Sequence, residues 1–438
     1  MLKSIKILLK HVDFISLAGI FLWISFCPVP LQEKFYISGK AVLLLAWLVL
    51  VVSRIKSLNS IFSSQDLPVL FFIAVLSVNI FFAQNKAVAW RSYWDLAVPL
   101  FLIYYLAKTV TSRVKSIVYL SRVITLTGIL VALLGVYECL FAFNPLYEYG
   151  VANQFYHRYI TGFVRPMSTQ MHTVPLGTYL LGCLPFNFIL LKQDRRNFRL
   201  WAAAGIILSV TVIILTFSRG VFFALTAMLL FYLFSQNNYR KGFLYLVGIL
   251  IFIIFCARLP YPFSRLSPEG IMFEDGGACS AYLADRWHIV KQMLHEHPFA
   301  GVGLQHFRLL FDRYFNGTVM VPLESDSPGA LQVPFEFKVA DNMYQTLLAE
   351  TGIIGFAGFT VLVVYFLMTG LKTAKQVTGW RRLQLLAVLS GFIGFLVNMA
   401  AYDLFYWPSQ YIHFCIMVGI LAGFFMDGAK EAALAKPG

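Results

Sequence analysis

The sequence predicts an all-α polytopic membrane protein, and three observations lead to that fold class. Of its 438 residues, 59% are hydrophobic and only 13% are charged, and the mean hydropathy is +0.72. Apolar runs close to the ~20 residues that cross a bilayer recur along the whole chain. These runs are continuous, whereas the strands of a membrane β-barrel alternate apolar and polar residues. A water-soluble core could not bury so much apolar surface.

About twelve membrane-spanning helices are predicted from these runs, with one long polar stretch between the ninth and the tenth. The first runs from about Val12 to Cys27 and ends at Pro28. It resembles a signal peptide, but no small-residue cleavage site follows it, so we expect the chain to keep it. The others are expected at residues 38–53, 67–83, 92–107, 117–140, 171–191, 200–217, 220–235, 242–257, 343–368, 383–402 and 409–426.

Three parts of the chain follow from this pattern. Residues 1–257 are predicted to form a bundle of about nine helices, and residues 342–438 about three helices and a short tail. Between them lies a polar loop at 258–341, with an amphipathic surface helix at 281–296. The apolar stripe of that helix is predicted to consist of Leu283, Trp287, Val290 and Leu294.

Basic residues predict the orientation of the helices. If the spans alternate in direction, most Lys and Arg residues of the short loops fall on one side, which the positive-inside rule makes cytoplasmic. Both termini are then cytoplasmic, and the loop at 258–341 lies outside. The same bias and contacts with anionic lipid headgroups explain the net charge of +14. We therefore expect membrane lipids, and no nucleic acid, as partners.

Neither the cysteines nor the histidines predict a metal or redox site. The 6 cysteines contain no CxxC pair. The histidines of the polar loop lack the spacing of a zinc site and have no accompanying Cys or paired Asp. These histidines are His288, His295, His297 and His306. We expect no metal and no added cofactor.

Three arginines on the predicted outer side could bind an anion. Arg219 lies between two apolar runs, where a guanidinium is costly unless an anion, a carbonyl group or water compensates its charge. It is either a phosphate-binding residue or a snorkelling arginine in a tight turn. Arg286, beside the apolar stripe, and Arg165, before the sixth span, are either anion-binding residues or solvated interfacial charges.

Polar residues at the start of the tenth span allow two interpretations. Asn342 and Gln345 fit a helix capping box, and Asp341 suits the positive end of the helix. Alternatively, Asp341 is a general base at the membrane face, although a helix N-terminus weakens a carboxylate as a base. Glu350 is about half a turn away from the Asp341 face, so the two carboxylates cannot act as a same-face pair. Glu350 is either a polar contact between helices or a functional proton site.

Several of these motifs together resemble the O-antigen ligase and polymerase superfamily of bacterial membrane glycosyltransferases. The resemblance rests on the order of the spans, on Ser218-Arg219-Gly220, on Arg286-Trp287 with the following HPFAGVGLQHF, and on DNMYQTLLAETGIIG. The superfamily moves a glycan from undecaprenyl diphosphate to an acceptor hydroxyl, such as one of the lipid A-core, at the periplasmic face of the inner membrane. It does so with inversion and without a metal.

The resemblance implies a role for each candidate residue. Asp341, Arg219 and Arg286 are the predicted catalytic residues, with the arginines gripping the diphosphate. Arg165, Asn342 and Glu350 are the predicted substrate-binding residues. O-antigen ligases usually have a histidine as base where this chain has Asp341, and related peptidoglycan polymerases also use an outer-loop aspartate.

Two other function classes fit the same sequence. A glycan transporter or lipid flippase would also have about twelve spans and buried charges such as Arg219 and Glu350. The long outer loop favours an enzyme, because a transporter has less need of it. A non-catalytic scaffold in an envelope assembly complex is the third possibility, and it predicts that the charged residues are dispensable.

Overall fold

A computed structural model gives the fold of the chain. It describes residues 12–27, 63–111, 114–146, 159–160, 163–192, 196–236, 278–315 and 338–434, and a few positions within 44–48 and 240–251. The predicted span at 38–53 therefore lies largely outside the described residues, and the second half of the predicted span at 242–257 lies almost entirely outside them.

The described part is almost entirely helical. Its helices are α1 (Val12–Phe26), α2 (Leu67–Phe82), α3 (Lys86–Thr111), α4 (Val114–Phe141), α5 (Thr173–Leu191), α6 (Arg196–Leu215), α7 (Arg219–Ser235), α8 (Ala278–Glu296), α9 (His306–Tyr314), α10 (Met343–Gln376), α11 (Gly379–Met399) and α12 (Pro408–Leu434). Short 3-10 turns occur at Ser64–Asp66, Ser168–Gln170 and Leu404–Tyr406. Two short strands, β1 (Tyr159–Ile160) and β2 (Phe163–Val164), pair in antiparallel fashion.

Among the described residues, 7 helical stretches are long and apolar enough to cross a membrane. They are Ser64–Phe82, Ser116–Phe141, Thr173–Leu191, Arg196–Leu215, Met343–Gln376, Gly379–Met399 and Pro408–Met426. Asp13–Phe26 and Arg219–Ser235 are shorter apolar helices. The prediction of a multi-pass helical membrane protein is confirmed. The count of twelve spans and the position of the polar loop outside the membrane stay predictions.

Contacts between distant parts of the chain show which helix ends meet. At one end of the bundle, Gly220 in the first turn of α7 packs against Ala401, just after α11. At the other end, Arg382 near the start of α11 donates to the carbonyl of Ser235 at the end of α7. Helices α8 and α9 pack near the start of α10. We call the end that carries these two helices the loop end, and it holds all the candidate residues.

Two glycines in α12 let it approach α3 closely. An added Cβ would lie 2.5 Å from the Tyr104 carbonyl oxygen at Gly419, and 2.7 Å from the Lys108 carbonyl oxygen at Gly423. The two glycines are four residues apart and share a helix face, as in the small-xxx-small motif of membrane helices. Helix α12 thereby becomes the buried centre of the bundle, since 94% of its spanning window is covered.

Helix α10 is broken at Gly352, and the polar loop fills the break. Gly352 has φ 63°, a conformation that favours glycine. The backbone on either side then bonds to the loop: Ile353 N donates to Pro298 O at 2.9 Å, and Val302 N to Ala349 O at 3.0 Å. The glycines of this part of the sequence therefore serve close backbone packing, and the loop and the start of α10 form one unit.

Candidate functional site

Arg286 lies on the buried face of α8, although the sequence places it beside the apolar stripe. The residues buried on this face are Arg286, Ile289, Val290 and Met293. Trp287, predicted to belong to the stripe, is instead 38% exposed. The helix can bury Arg286 because its Nε donates to the Val339 carbonyl and its guanidinium meets a carboxylate.

That carboxylate belongs to Asp341, just before α10. Oδ2 of Asp341 lies 3.5 Å from Nη1 of Arg286; the arginine side chain is 2% exposed and the aspartate side chain 42%. Asp341 has φ 51°, a left-handed conformation that turns the chain sharply before the helix. Asn342 then caps α10, because its Oδ1 accepts from the backbone N–H of Tyr344 and of Gln345 at 3.0 and 3.2 Å. The helix-cap interpretation of Asn342 is confirmed.

A second aspartate, Asp403, completes the site from the turn between α11 and α12. Its Oδ2 accepts from the backbone N–H of Asp341 at 2.9 Å, and its Oδ1 accepts from the Thr346 hydroxyl. Asp403 is 4% exposed. Burial, and then the negative charge of Asp341, raise the pKa of Asp403 to about 6. Two carboxylates and one guanidinium therefore lie at the start of α10.

Sequence reasoning missed Asp403. The available signal was an ionisable residue directly after a predicted span, in a short outer turn. The sequence could not show that this turn lies against the start of α10, because 62 residues separate Asp341 from Asp403.

Arg219 and Arg165 lie at the same end of the bundle, next to the turn that carries Asp403. Arg219 begins α7, and the following Gly220 leaves no room for a side chain: an added Cβ would lie 2.6 Å from the Cβ of Ala401. Ala401 is two residues before Asp403. Arg165 Nε donates to the Thr216 carbonyl at 2.8 Å, three residues before Arg219. Both arginines are half-buried. Because of the two contacts above, the structure brings the three predicted arginines to one end of the bundle.

A buried carboxylate holds the segment that carries Arg165. Glu138, near the end of α4, is fully buried, and its Oε2 accepts from the backbone N–H of Met167 and Ser168 at 2.9 and 2.8 Å. The next residue of α4, Cys139, holds the backbone on the other side of Arg165, because its Sγ donates to the Val164 carbonyl at 3.4 Å. The end of α4 therefore fixes the backbone on both sides of Arg165.

Glu350 connects the polar loop to the bundle. It is 2% exposed, and its carboxylate accepts from the backbone N–H of Gln305 at 2.9 Å and of Phe307 at 3.1 Å. The Tyr406 hydroxyl, in the turn that follows Asp403, donates to the same carboxylate. Glu350 thus caps α9 and also fixes the turn that contains Asp403. These contacts favour a supporting role, whereas the predicted substrate-binding role stays untested.

Glu350→Ala is expected to destabilise the fold by about 2–5 kcal/mol, because two backbone N–H groups and one hydroxyl lose a buried acceptor. Glu350→Gln should cost less, since the amide oxygen still accepts. Thermal unfolding in detergent and protease cleavage of the loop measure the effect. The matched control is Asp312→Ala, which breaks the pair between the exposed Asp312 and Lys338 and should change little. Equal Tm values for Glu350→Ala and wild type would contradict this role.

Asp403 predicts a pH dependence of stability. Its pKa in the fold, about 6, is above the ordinary 3.8, so the folded state binds the proton more tightly. The contribution of Asp403 to the free energy of unfolding therefore increases as the pH falls from neutral through about 6. This contribution is lost as the pH rises through the same value. Asp403→Asn removes this titration and can keep both hydrogen bonds, because the Thr346 hydroxyl can turn to accept. We expect the variant to gain Tm over wild type near pH 7.5 and to lose that advantage near pH 5. A pH-independent difference in Tm would contradict the prediction.

Metal ligation has no support in the part of the chain that the structure describes, where no three His, Cys, Asp or Glu side chains come close enough to hold an ion. Of the four loop histidines, His306 is buried and bonds to the backbone of the loop end: its Nε2 accepts from Asn85 N at 2.9 Å.

Together, the fold and the site define a multi-pass helical membrane protein with three arginines and two aspartates gathered at one end of the bundle. Residues 204–360 match the family model described as O-antigen ligase. Over this segment the chain is similar to the O-antigen ligase family, in agreement with the resemblance predicted from the sequence. The segment includes Arg219, Arg286 and Asp341, whereas Arg165 and Asp403 lie outside it. No curated protein matches the chain.

Proposed function

We propose that the protein is a glycosyltransferase of the bacterial inner membrane. Its donor is a glycan linked to undecaprenyl diphosphate, and its acceptor is a hydroxyl group of the lipid A-core or of another glycan. The reaction takes place at the periplasmic face, inverts the anomeric carbon and needs no metal. The observation that carries this proposal is the buried Arg286 beside Asp341, within the segment that matches the O-antigen ligase family.

The arginines suit a diphosphate leaving group. A guanidinium stays charged at any physiological pH and binds phosphate oxygens with two parallel hydrogen bonds. Arg219 and Arg286 neutralise the charge that builds on the diphosphate as the bond to the anomeric carbon breaks. Arg165, held by the end of α4, adds a third positive charge next to Arg219. The leaving group keeps the bonding electron pair, so undecaprenyl diphosphate is the second product.

Asp341 suits the role of general base. It is the more exposed of the two aspartates, so an acceptor hydroxyl can reach it. The positive charge of Arg286 alone would weaken it as a base, and the negative charge of Asp403 on its other side opposes that effect. The hydroxyl oxygen attacks the anomeric carbon opposite the leaving group while its proton passes to Asp341. Asp341 therefore does the work that the family usually gives to a histidine.

The site favours the enzyme over the transporter. A transporter would place its charges near the middle of the membrane, between broken helices. In the described part of this chain, Arg219, Arg286 and Asp341 instead start helices or lie in the loop at one end. The break in α10 is filled by the loop backbone, so it lines no passage there.

Glycan profiling of cells that lack the native protein tests the proposal. The cells are complemented with wild type, Arg219→Ala or Asp341→Asn at matched membrane levels. A lost polymerase leaves single repeat units on the acceptor, and a lost ligase leaves long chains on undecaprenyl diphosphate. Wild-type glycan from both variants would contradict the proposed site, and transport assays would then test the flippase alternative.

A further inference from the structure

We propose that the exposed face of α8, together with α9, forms a second glycan-binding subsite for acidic sugars that lie several residues away from the reacting bond. This inference rests on the proposed function, because it concerns the same transferred glycan. It assigns a role to loop residues that the reaction itself does not use.

A groove of about 480 Å³ lies between the two helices. Its volume is in the ~300–1,000 Å³ range of small-molecule sites. The groove is lined by His288, Lys291, Gln292, His295, Glu296, Arg313 and Tyr314.

The groove is held rigid from both sides. Glu296 accepts from the Tyr314 hydroxyl at 2.6 Å and from Arg313 Nη2 at 3.0 Å, and so joins the end of α8 to the end of α9. Underneath, Met293 of α8 and Phe311 of α9 belong to one buried apolar cluster. A preformed groove binds a ligand at a lower entropic cost than one that must order first.

Lys291 gives the groove its charge preference. Glu296 already pairs with Arg313, whereas no carboxylate of the described residues pairs with Lys291. The Lys291 ammonium instead lies 5.4 Å from the centre of the exposed Trp287 ring. Imidazole and amide groups beside it, on His288 and Gln292, can donate to and accept from sugar hydroxyls. A cation beside an aromatic ring and such groups fits a saccharide that carries a carboxylate or phosphate.

The groove is connected to the candidate site through α8 itself. Arg286 and His295 are nine residues apart, which is two and a half helical turns, so they point to opposite faces. The thickness of one helix, ~10–12 Å, separates the groove from Arg286. A single sugar is shorter than this separation, so only a glycan of several sugars is long enough to contact both Arg286 and the groove.

Calorimetry on the full-length protein in detergent tests the subsite directly. The probes are trigalacturonic acid, neutral galactotriose and inorganic phosphate. We expect the acidic trisaccharide to bind at least tenfold more tightly than the neutral one, and Lys291→Gln to remove that difference. Lys372→Gln, at the opposite end of α10, is the matched control and should change nothing. Equal binding of the two trisaccharides, or an acidic preference that survives Lys291→Gln, overturns the proposal. Phosphate binding as tight as that of trigalacturonic acid, and equally lost in Lys291→Gln, would show an anion site without sugar recognition and would also overturn it.

Transfer assays separate this subsite from the reaction. With a donor that carries a long acidic glycan, Lys291→Gln should raise KM about tenfold and leave kcat unchanged. With a donor that carries one sugar, the variant should match wild type. A loss of kcat with both donors would contradict a remote subsite. If wild type transfers neither glycan, the proposed function fails, while the calorimetry still decides whether the groove binds acidic saccharides.

Discussion

Arg286→Ala and Arg219→Ala are each expected to lower kcat/KM for glycan transfer roughly 100- to 1,000-fold, which is the typical loss when one stabilising donor to a developing anion is removed. Arginine to lysine changes should recover only part of the activity, because an ammonium group lacks the planar fork that binds two phosphate oxygens. The kcat/KM of each variant is measured with purified protein, from the rate at which undecaprenyl diphosphate is released.

A matched arginine at the other end of the bundle controls for general damage. Arg382 donates to the Ser235 carbonyl, far from the loop end, so Arg382→Ala should retain transfer. Arg286 also holds the segment before α10 through the Val339 carbonyl, and the Tm of each variant must therefore be compared with wild type. An Arg286→Lys variant with wild-type Tm and full activity would show that the guanidinium does not bind the leaving group.

Asp341→Asn is expected to lower kcat for transfer roughly 100- to 10,000-fold, the usual contribution of a general base. The amide keeps the size of the side chain and can still accept a hydrogen bond, so the fold should persist. Donor binding should change little, since Arg219 and Arg286 remain. Single-turnover transfer and donor affinity, measured on the same preparation, separate the two effects.

Asp312→Asn provides the control for Asp341→Asn. Asp312 is an exposed aspartate of α9 that pairs with Lys338 at the surface, so its loss should leave transfer intact. If Asp341→Asn and Asp312→Asn are equally active, Asp341 is not the base. Asp403 would then be the next candidate, because its carboxylate accepts a hydrogen bond from the backbone N–H of Asp341.

The helices of this protein were predictable because the bilayer imposes a simple rule on sequence. A segment that crosses hydrocarbon must be apolar for about 20 residues, and ten of the predicted spans coincide with described helices. The cap at Asn342 was equally predictable, since one short side chain before a helix suffices. The family resemblance came from motifs within the segment that matches.

Long-range contacts were not predictable from the sequence. The sequence could show neither that Asp403 reaches Asp341 nor that Glu350 caps α9, because each contact joins residues far apart in the chain, 62 residues in the first case and 45 between Glu350 and Gln305 in the second. The buried face of α8 was predicted one residue out of place for a related reason. Its most buried side chain is an arginine, and an apolar pattern cannot show that a carbonyl and a carboxylate will compensate the charge.

The most direct test of the account uses purified protein in lipid nanodiscs, with an undecaprenyl-diphosphate-linked glycan donor, a purified glycan acceptor and a metal chelator. We predict that undecaprenyl diphosphate is released in step with a glycan–acceptor product of inverted anomeric configuration, and that Asp341→Asn stops both. An intact donor after incubation with folded wild type, or a product that forms equally with Asp341→Asn, would contradict this prediction.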